Sequence, residues 1–380
     1  MKEKPSRREF LQAGLMLPAA ELLTYGGSAE TFQQSVGVSY RMLGKTGIKV
    51  STVGYGLGYD PDPEIITRCI DLGLNYFDTS RIYAQGNSEK ILGAAIKGKR
   101  DKVIISTKTP SVTRADILKD MDASLQALGT DYVDVYHLHA RDTPDRAPDE
   151  AVEALEILKK QGKARAVGLS THDPNNMVNH IIKCKLDVVQ TTYSYAIGAP
   201  YRDAAIRKLW EAGIGVVAMK VIIALTTAPK DLSQKPRLKA EETPVAAIRW
   251  VLRNPAISTT VPHHGSIKEL EMNIRGMTGT YSPEDEKLLY VRNEQIRPFY
   301  CRMCYQCRGQ CPQGLPVTDI LRFLSYYDFA GSLYQARLNY MGLPRDIRQV
   351  RCSECASCAI QCPNGVRVRE RLIRAQELLA

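Results

Sequence analysis

At 380 residues, with 44% hydrophobic and 24% charged side chains, the chain can bury a large core, and its ordinary composition excludes collagen-like, low-complexity and disordered classes. The formal net charge is +10, but the positive charge is spread along the chain and no basic stripe interleaved with aromatics occurs, so nucleic acid is not expected as a partner. No apolar run reaches the roughly 18 residues needed to cross a bilayer, so no transmembrane segment is expected.

The chain opens MKEKPSRREFLQAGLMLPAA, and Ser6-Arg7-Arg8-Glu9-Phe10-Leu11 matches the twin-arginine export pattern. Residues 1–35 are read as that signal or a disordered lead-in, outside the fold. The expected location is periplasmic by the twin-arginine route, or cytoplasmic if the pattern is accidental. YRMLGKTGIKVS then predicts a hairpin. From residue 50 to about 278, β-rich runs alternate with helical periods. The β-rich runs are STVGYGL, LNYFDTS, KVIISTK, YVDVYHLHA, ARAVGLS, LDVVQTTY, IGVVAMKVI and ISTTVPHH. Between them lie helical patterns such as SEKILGAAIKG, ADILKDMDASLQALG, EAVEALEILKKQGK and AAIRKLWEAG.

Eight such units in roughly 230 residues predict an α/β chain with a (β/α)8 TIM barrel over 36–280, the hairpin placed to plug its bottom. A doubly wound sheet would carry G-x-G-x-x-G after its first strand. Gly54, Gly56 and Gly58 are followed by Tyr59 and fail that fingerprint.

Residues 281–380 are different in kind. CRMCYQCRGQCP (301–312) returns as CSECASCAIQCP (352–363), each reading C-x2-C-x2-C-x3-C-P. In two-cluster ferredoxins the fourth cysteine of such a run ligates the other cluster. The spacing therefore assigns Cys301, Cys304, Cys307 and Cys362 to one 4Fe–4S cluster, and Cys352, Cys355, Cys358 and Cys311 to a second. The domain is expected to be mainly α and ferredoxin-like. Zinc needs only two C-x2-C pairs and leaves four thiols unexplained. A disulfide framework belongs to small secreted domains. Cys69 and Cys184 lie in apolar helical patterns and read as core thiols.

In a barrel of this kind chemistry sits at the C-terminal ends of strands. The second strand ends at Asp78 and its loop carries Tyr83; the third ends at Lys108 and the fourth at His139. A tyrosine hydroxyl has a pKa of about 10. A nearby lysine ammonium favours the phenolate, so the tyrosine can exchange a proton nearer neutrality, while an aspartate holds that lysine in place. A histidine beside the tyrosine can donate to a carbonyl oxygen as it gains charge. Carbonyl reduction needs this set. His137, two residues before His139, reads as a packed polar residue.

YRMLGKTGIKVS, NYFDTSRIYAQGNSE, STK, YVDVYHLH and VGLS resemble, in order, the successive signatures of the aldo-keto reductases over about 240 residues. The whole chain resembles the branch with a ferredoxin-type C-terminal extension. The resemblance implies Tyr83 as general acid/base, Lys108 and Asp78 tuning it, and His139 orienting a small carbonyl or alcohol substrate. It also implies an NAD(P)H cofactor, with Ser170 and Gln190 on the nicotinamide carboxamide and Met219 where the family stacks an aromatic. Asn273 matches an adenine contact and Lys268 stands in for a phosphate ligand. The departures are Thr171, where many members have Asn, and VPHHGSIKELEMN after strand eight. There His263, His264 and Glu269 stand near the positions of the basic and hydroxyl groups that bind a 2′-phosphate. Two functions remain open at this point. One is an oxidoreductase coupled to the clusters, with a redox partner protein at the cluster domain. The other is an electron-transfer protein whose barrel is a scaffold.

Overall fold

In the computed structural model, which describes residues 37–58, 60–198, 201–226 and 242–380, the first regular element is the expected hairpin. β1 (Tyr40–Met42) pairs antiparallel with β2 (Lys49–Ser51), Met42 opposite Lys49. Leu43, Ile48 and Val50 from this hairpin are buried with Tyr76, Val135, Ala166, Val188, Val217 and Val261, so the hairpin plugs the barrel floor with apolar side chains. The export pattern in residues 1–35 lies outside the described residues.

The eight β-rich runs form β3 (Tyr55–Gly56), β4 (Tyr76–Asp78), β5 (Ile104–Thr109), β6 (Val133–Leu138), β7 (Ala164–Thr171), β8 (Val188–Thr192), β9 (Gly215–Met219) and β10 (Thr259–Thr260). They pair in sequence order, every neighbour parallel. A bridge between Val53 and Thr260 closes the ring, with Gly54 N–H donating to Thr260 O at 2.8 Å and Gly56 N–H to Pro262 O at 2.9 Å. Two of the three glycines that fail as a nucleotide fingerprint have a structural purpose here. A Cβ on Gly54 would sit 2.4 Å from Tyr76 O, and one on Gly56 2.7 Å from Val261 O.

Helices α1 (Pro63–Asp71), α2 (Asn87–Ala95), α3 (Arg114–Leu128), α4 (Asp149–Lys160), α5 (Pro174–Lys183), α6 (Asp203–Glu211) and α7 (Glu242–Leu252) ring the barrel. α4 shows why they dock as they do. Ala151, Ala154, Leu155 and Leu158 recur at helical spacing and are buried, while Asp149 and Glu150 open the helix and Lys159 and Lys160 close it, matching its dipole.

α8 (Ile267–Arg275) follows β10. α9 (Pro283–Ile296) starts at a capping box between Ser282 and Asp285. Although it lies beyond residue 280, α9 packs on the barrel: Leu289 and Ile296 join the barrel's core and Arg292 Nε donates to Leu225 O at 2.8 Å. The C-terminal lobe is helical, as expected. α10 (Val317–Asp328), α11 (Leu333–Met341), α12 (Arg345–Gln349) and α13 (Val368–Leu379) surround a second core of Ile320, Leu324, Ala336, Tyr340, Leu372 and Leu379.

Candidate active site

The pleat of β4 and β5 brings Asp78 and Lys108 together at the barrel mouth. Lys108 Nζ, buried, donates to Asp78 Oδ1 and Oδ2 at 2.8 and 2.7 Å and to Thr79 O at 2.7 Å, which uses all three of its N–H groups. Burial lowers the Lys108 pKa, and Asp78 opposes that by stabilising the ammonium. Ser106 Oγ and Gln190 Nε2 complete the Asp78 carboxylate, each at 2.9 Å.

Tyr83 heads a tight turn (Tyr83–Gly86) in which Ala84 and Gln85 have φ of 48° and 56°. Left-handed backbone at two consecutive non-glycine residues is strained, and such strain gathers where a side chain must be aimed. A buried Glu89, paired with Arg81 at 2.5 Å and accepting from Thr107 at 2.6 Å, anchors this segment to β5. The Tyr83 ring lies 5.2 Å from Lys108 Nζ and 5.6 Å from the His139 ring, which meets it edge-on at 81°. Burial, with Lys108, His172 and Arg141 adding to it, drives the His139 pKa well below its ordinary value, so the ring is neutral at pH 7. Its Nδ1 lies 3.1 Å from Ser80 Oγ. Tyr83, Lys108, Asp78 and His139 thus converge as expected. His137 is buried inside the barrel and neutral, its pKa lowered to about 3 first by burial and then by Lys108.

Ser170 and Gln190 sit side by side at paired positions of β7 and β8. Ser170 Oγ accepts from Ala140 N–H at 2.8 Å, and Gln190 Oε1 is buried without a partner. A spare hydroxyl donor and an orphan amide acceptor match the donor and acceptor of a carboxamide, so these residues fit a nicotinamide. Met219 ends β9, half-buried.

The loop after β10 is turned inward. His264 is buried and neutral, its pKa lowered to about 3 by burial and then by His263; its Nε2–H donates to Gly54 O at 3.1 Å while Nδ1 accepts from Asn273 Nδ2 at 2.9 Å. Asn273 therefore has its amide nitrogen committed, and its buried Oδ1 is the group left open to a ligand. Lys268 is exposed on α8, and Glu269 Oε2 accepts the Gly265 N–H at 2.8 Å.

Sequence reasoning missed a second polar network that joins mouth and lobe. His172, just past β7, holds Nδ1 3.2 Å from Asp142 Oδ2. Burial opposes ionisation of Asp142, yet His172 and Arg322 hold its carboxyl well below the usual range. Arg322, from α10, lies 3.7 Å from Asp142 and donates to Tyr326 Oη at 3.0 Å. Lys220, one residue past β9 with φ of 61°, sits 4.4 Å over the Tyr326 ring. Burial raises the Tyr326 pKa less than Lys220 and Arg322 lower it. Arg202 donates both to His172 O at 2.9 Å and to Met303 O at 2.6 Å, so the loop carrying the first cysteine run lies on the mouth.

None of the ten cysteines, all among the described residues, is joined in a disulfide. Burial raises Cys301 to about 12, against the Met303 N–H, and Cys307, Cys304 and Cys362 are the thiols near enough to raise it further. Burial raises Cys352 to about 11, with Cys355, Cys311 and Cys358 as its neighbours. These neighbourhoods are the two crossed sets. Gln361 N–H donating to Gln310 Oε1 at 2.8 Å ties the two runs together. Among the described residues, no group of three or more His, Cys, Asp or Glu is arranged to hold a metal ion. Four-iron cubes spread their thiolates around a larger body than one ion does, and eight thiols in two sets of four suit that chemistry. Cys69 is buried in α1, and Cys184 caps α5 with Sγ 3.6 Å from His180 Nε2.

A model of the Aldo/keto reductase family matches residues 60–289. Among curated proteins, the chain is 27% identical over 288 residues to an uncharacterized oxidoreductase of Bacillus subtilis, covering 65% of this chain and 93% of that one. It is 28% identical to the L-galactose dehydrogenase of Arabidopsis thaliana (63% and 88% covered) and 31% identical over 191 residues to an NADH-specific methylglyoxal reductase of Escherichia coli (40% and 58%). Among solved structures it resembles the holo form of an aldo-keto reductase from Bacillus halodurans, with TM-score 0.58 and 26% identity over 67% of this chain and 96% of that one.

Proposed function

This chain belongs to the aldo/keto reductase family and is an NAD(P)-dependent oxidoreductase; from that premise we propose that it reduces a small aldehyde or ketone, or oxidises the alcohol in reverse, with the work of the barrel coupled to two 4Fe–4S clusters in the lobe. The observation that carries the reading is the convergence of Tyr83, Lys108, Asp78 and His139 at one mouth. NAD(P)H, when bound, supplies the hydride. Ser170 and Gln190 hold its carboxamide, His139 donates a hydrogen bond to the substrate oxygen, and Tyr83 delivers the proton that oxygen needs as charge develops on it. Lys108 favours the phenolate Tyr83 leaves behind, and Asp78 keeps Lys108 charged and still. The Glu269 carboxylate at the start of α8 disfavours a 2′-phosphate there, which favours NADH over NADPH. Oxidation of each cofactor is followed with a panel of small aldehydes and ketones. Turnover with NADH leading supports the reading. If neither cofactor supports turnover while the lobe still exchanges electrons, the barrel is a scaffold in an electron-transfer protein.

Cluster coupling is supported by the crossed thiol sets and by the seating of the first run on the mouth. The NAD(P)H hydride carries both electrons of the carbonyl reduction and Tyr83 gives the second proton, so the clusters would act by returning two single electrons, with one proton, to the NAD(P)+ left behind. Reduced methyl viologen as the electron source, with a catalytic amount of NAD+ present, is expected to drive carbonyl reduction in iron-loaded protein and not after Cys304→Ser. Equal rates in both would separate the clusters from the barrel. Export by the twin-arginine route follows from Arg7 and Arg8, and Arg7→Lys with Arg8→Lys is expected to hold the protein in the cytoplasm; unchanged distribution would refute it.

A further inference from the structure

We propose that the outward face of α11, with the arginines around it, docks an acidic electron-carrier protein. This rests on reading the eight cysteines as cluster ligands. Ala336 and Tyr340 point α11 into the lobe core, while Tyr334, Leu338 and Met341, spaced four and three residues apart on the opposite face, are 51%, 45% and 48% exposed. An aromatic, a leucine and a methionine on one helix face make the kind of apolar centre that transient interfaces use. Between residues 333 and 351 the sequence places Arg345, Arg348 and Arg351 against Asp346, while a fourth arginine, Arg337, donates to Ala380 O of the last residue at 3.0 Å. Arg348 Nη1 lies 3.8 Å from Met341 Sδ, so positive charge borders the apolar face directly. The redox group is close behind: Tyr340, on the inner side of the helix, is near Cys352, Arg348 and Arg351, and Cys358 of the same set is exposed. The other set is turned to the barrel, where Arg202 holds Met303 O. An incoming carrier therefore meets the Cys352 set first. A basic rim steers an acidic partner and repels a basic one.

The test uses the iron-loaded full chain and two donors under anaerobic conditions, a chemically reduced acidic plant-type ferredoxin and reduced methyl viologen. With ferredoxin, the rate of iron reduction is expected to fall about tenfold as salt is raised from low to high ionic strength. Arg345→Glu with Arg348→Glu, and separately Leu338→Glu, are expected to slow ferredoxin about tenfold or more and leave viologen unchanged. A salt-independent ferredoxin rate, or one indifferent to both variants, overturns the proposal. So does a dimer in sedimentation that Leu338→Glu splits, or binding to anionic vesicles that the arginine variants abolish while ferredoxin rates stay the same. If viologen itself reduces no iron, the cluster reading falls and the docking proposal falls with it.

Discussion

Asp78, at the barrel mouth, accepts from Ser106, Lys108 and Gln190 before any ligand arrives, at distances between 2.7 and 2.9 Å. Thiols of the lobe meet single polar partners at the ordinary distance for sulfur: Cys301 with Met303 N–H at 3.4 Å, Cys304 with Asn364 Nδ2 at 3.3 Å and Cys307 with Thr318 Oγ1 at 3.4 Å. One site is organised by a dense set of its own side chains, while each of these thiols has one weak partner. The difference is one of physics as well as of role. A proton donor has to be aimed in advance, because reorganisation during the reaction raises the barrier. Metal thiolates need only be brought within reach, since the bonds to the inorganic core then fix them and couple binding to folding.

Iron loading tests that contrast most severely. Anaerobically prepared protein is expected to contain about eight iron atoms and an equal amount of sulfide per chain. Removing them is expected to loosen the lobe and leave nicotinamide binding to the barrel intact. About four irons would leave one set empty, zinc in place of iron would end the cluster reading, and a barrel that unfolds on iron removal would break the contrast. Acid gives a smaller effect from the opposite side. All six histidines lie before residue 281. His172, lowered to about 4 mainly by burial, and His137 and His264, each lowered to about 3, stay neutral in the fold while the unfolded chain protonates near 6.5. The unfolded state therefore gains protons first, and stability is lost as pH falls from about 6.5 toward 4, at about 1.4 kcal/mol per unit of separation for each group. The fluorescence of Trp210 and Trp250, both in barrel helices, is expected to report a falling denaturation midpoint over that window; a flat midpoint would contradict it. Smallest is the junction between the two regions. Ser282→Ala removes half of the α9 capping box and is expected to cost about 1 kcal/mol in a denaturant melt, with kcat unchanged.

The barrel was legible because strands such as β6 and β8 are buried along their whole length and so read as unbroken β-rich runs. Asp78, Lys108 and His139 were legible because each closes or just follows such a run. Ser106 carried a signal that could have been used: it lies two residues before Lys108, on the same face of β5. Arg322 and Tyr326 had none, because they reach the mouth from a helix in the lobe and no local pattern encodes that approach. The inward turn of His264 was equally hidden, since its partners Gly54 and Asn273 come from opposite ends of the barrel sequence.

Tyr83, aimed in advance, does the acid–base work of the barrel within a set of side chains that includes none of the eight thiols. The most direct measurement is kcat for NAD(P)H-dependent carbonyl reduction by Tyr83→Phe, with iron content determined on the same preparation. A fall of about 10²–10⁴-fold is expected, with iron content and cofactor affinity unchanged. Lys108→Met is predicted to be strongly non-additive with it, because Lys108 acts through Tyr83. A Tyr83→Phe enzyme as fast as the parent would contradict the account.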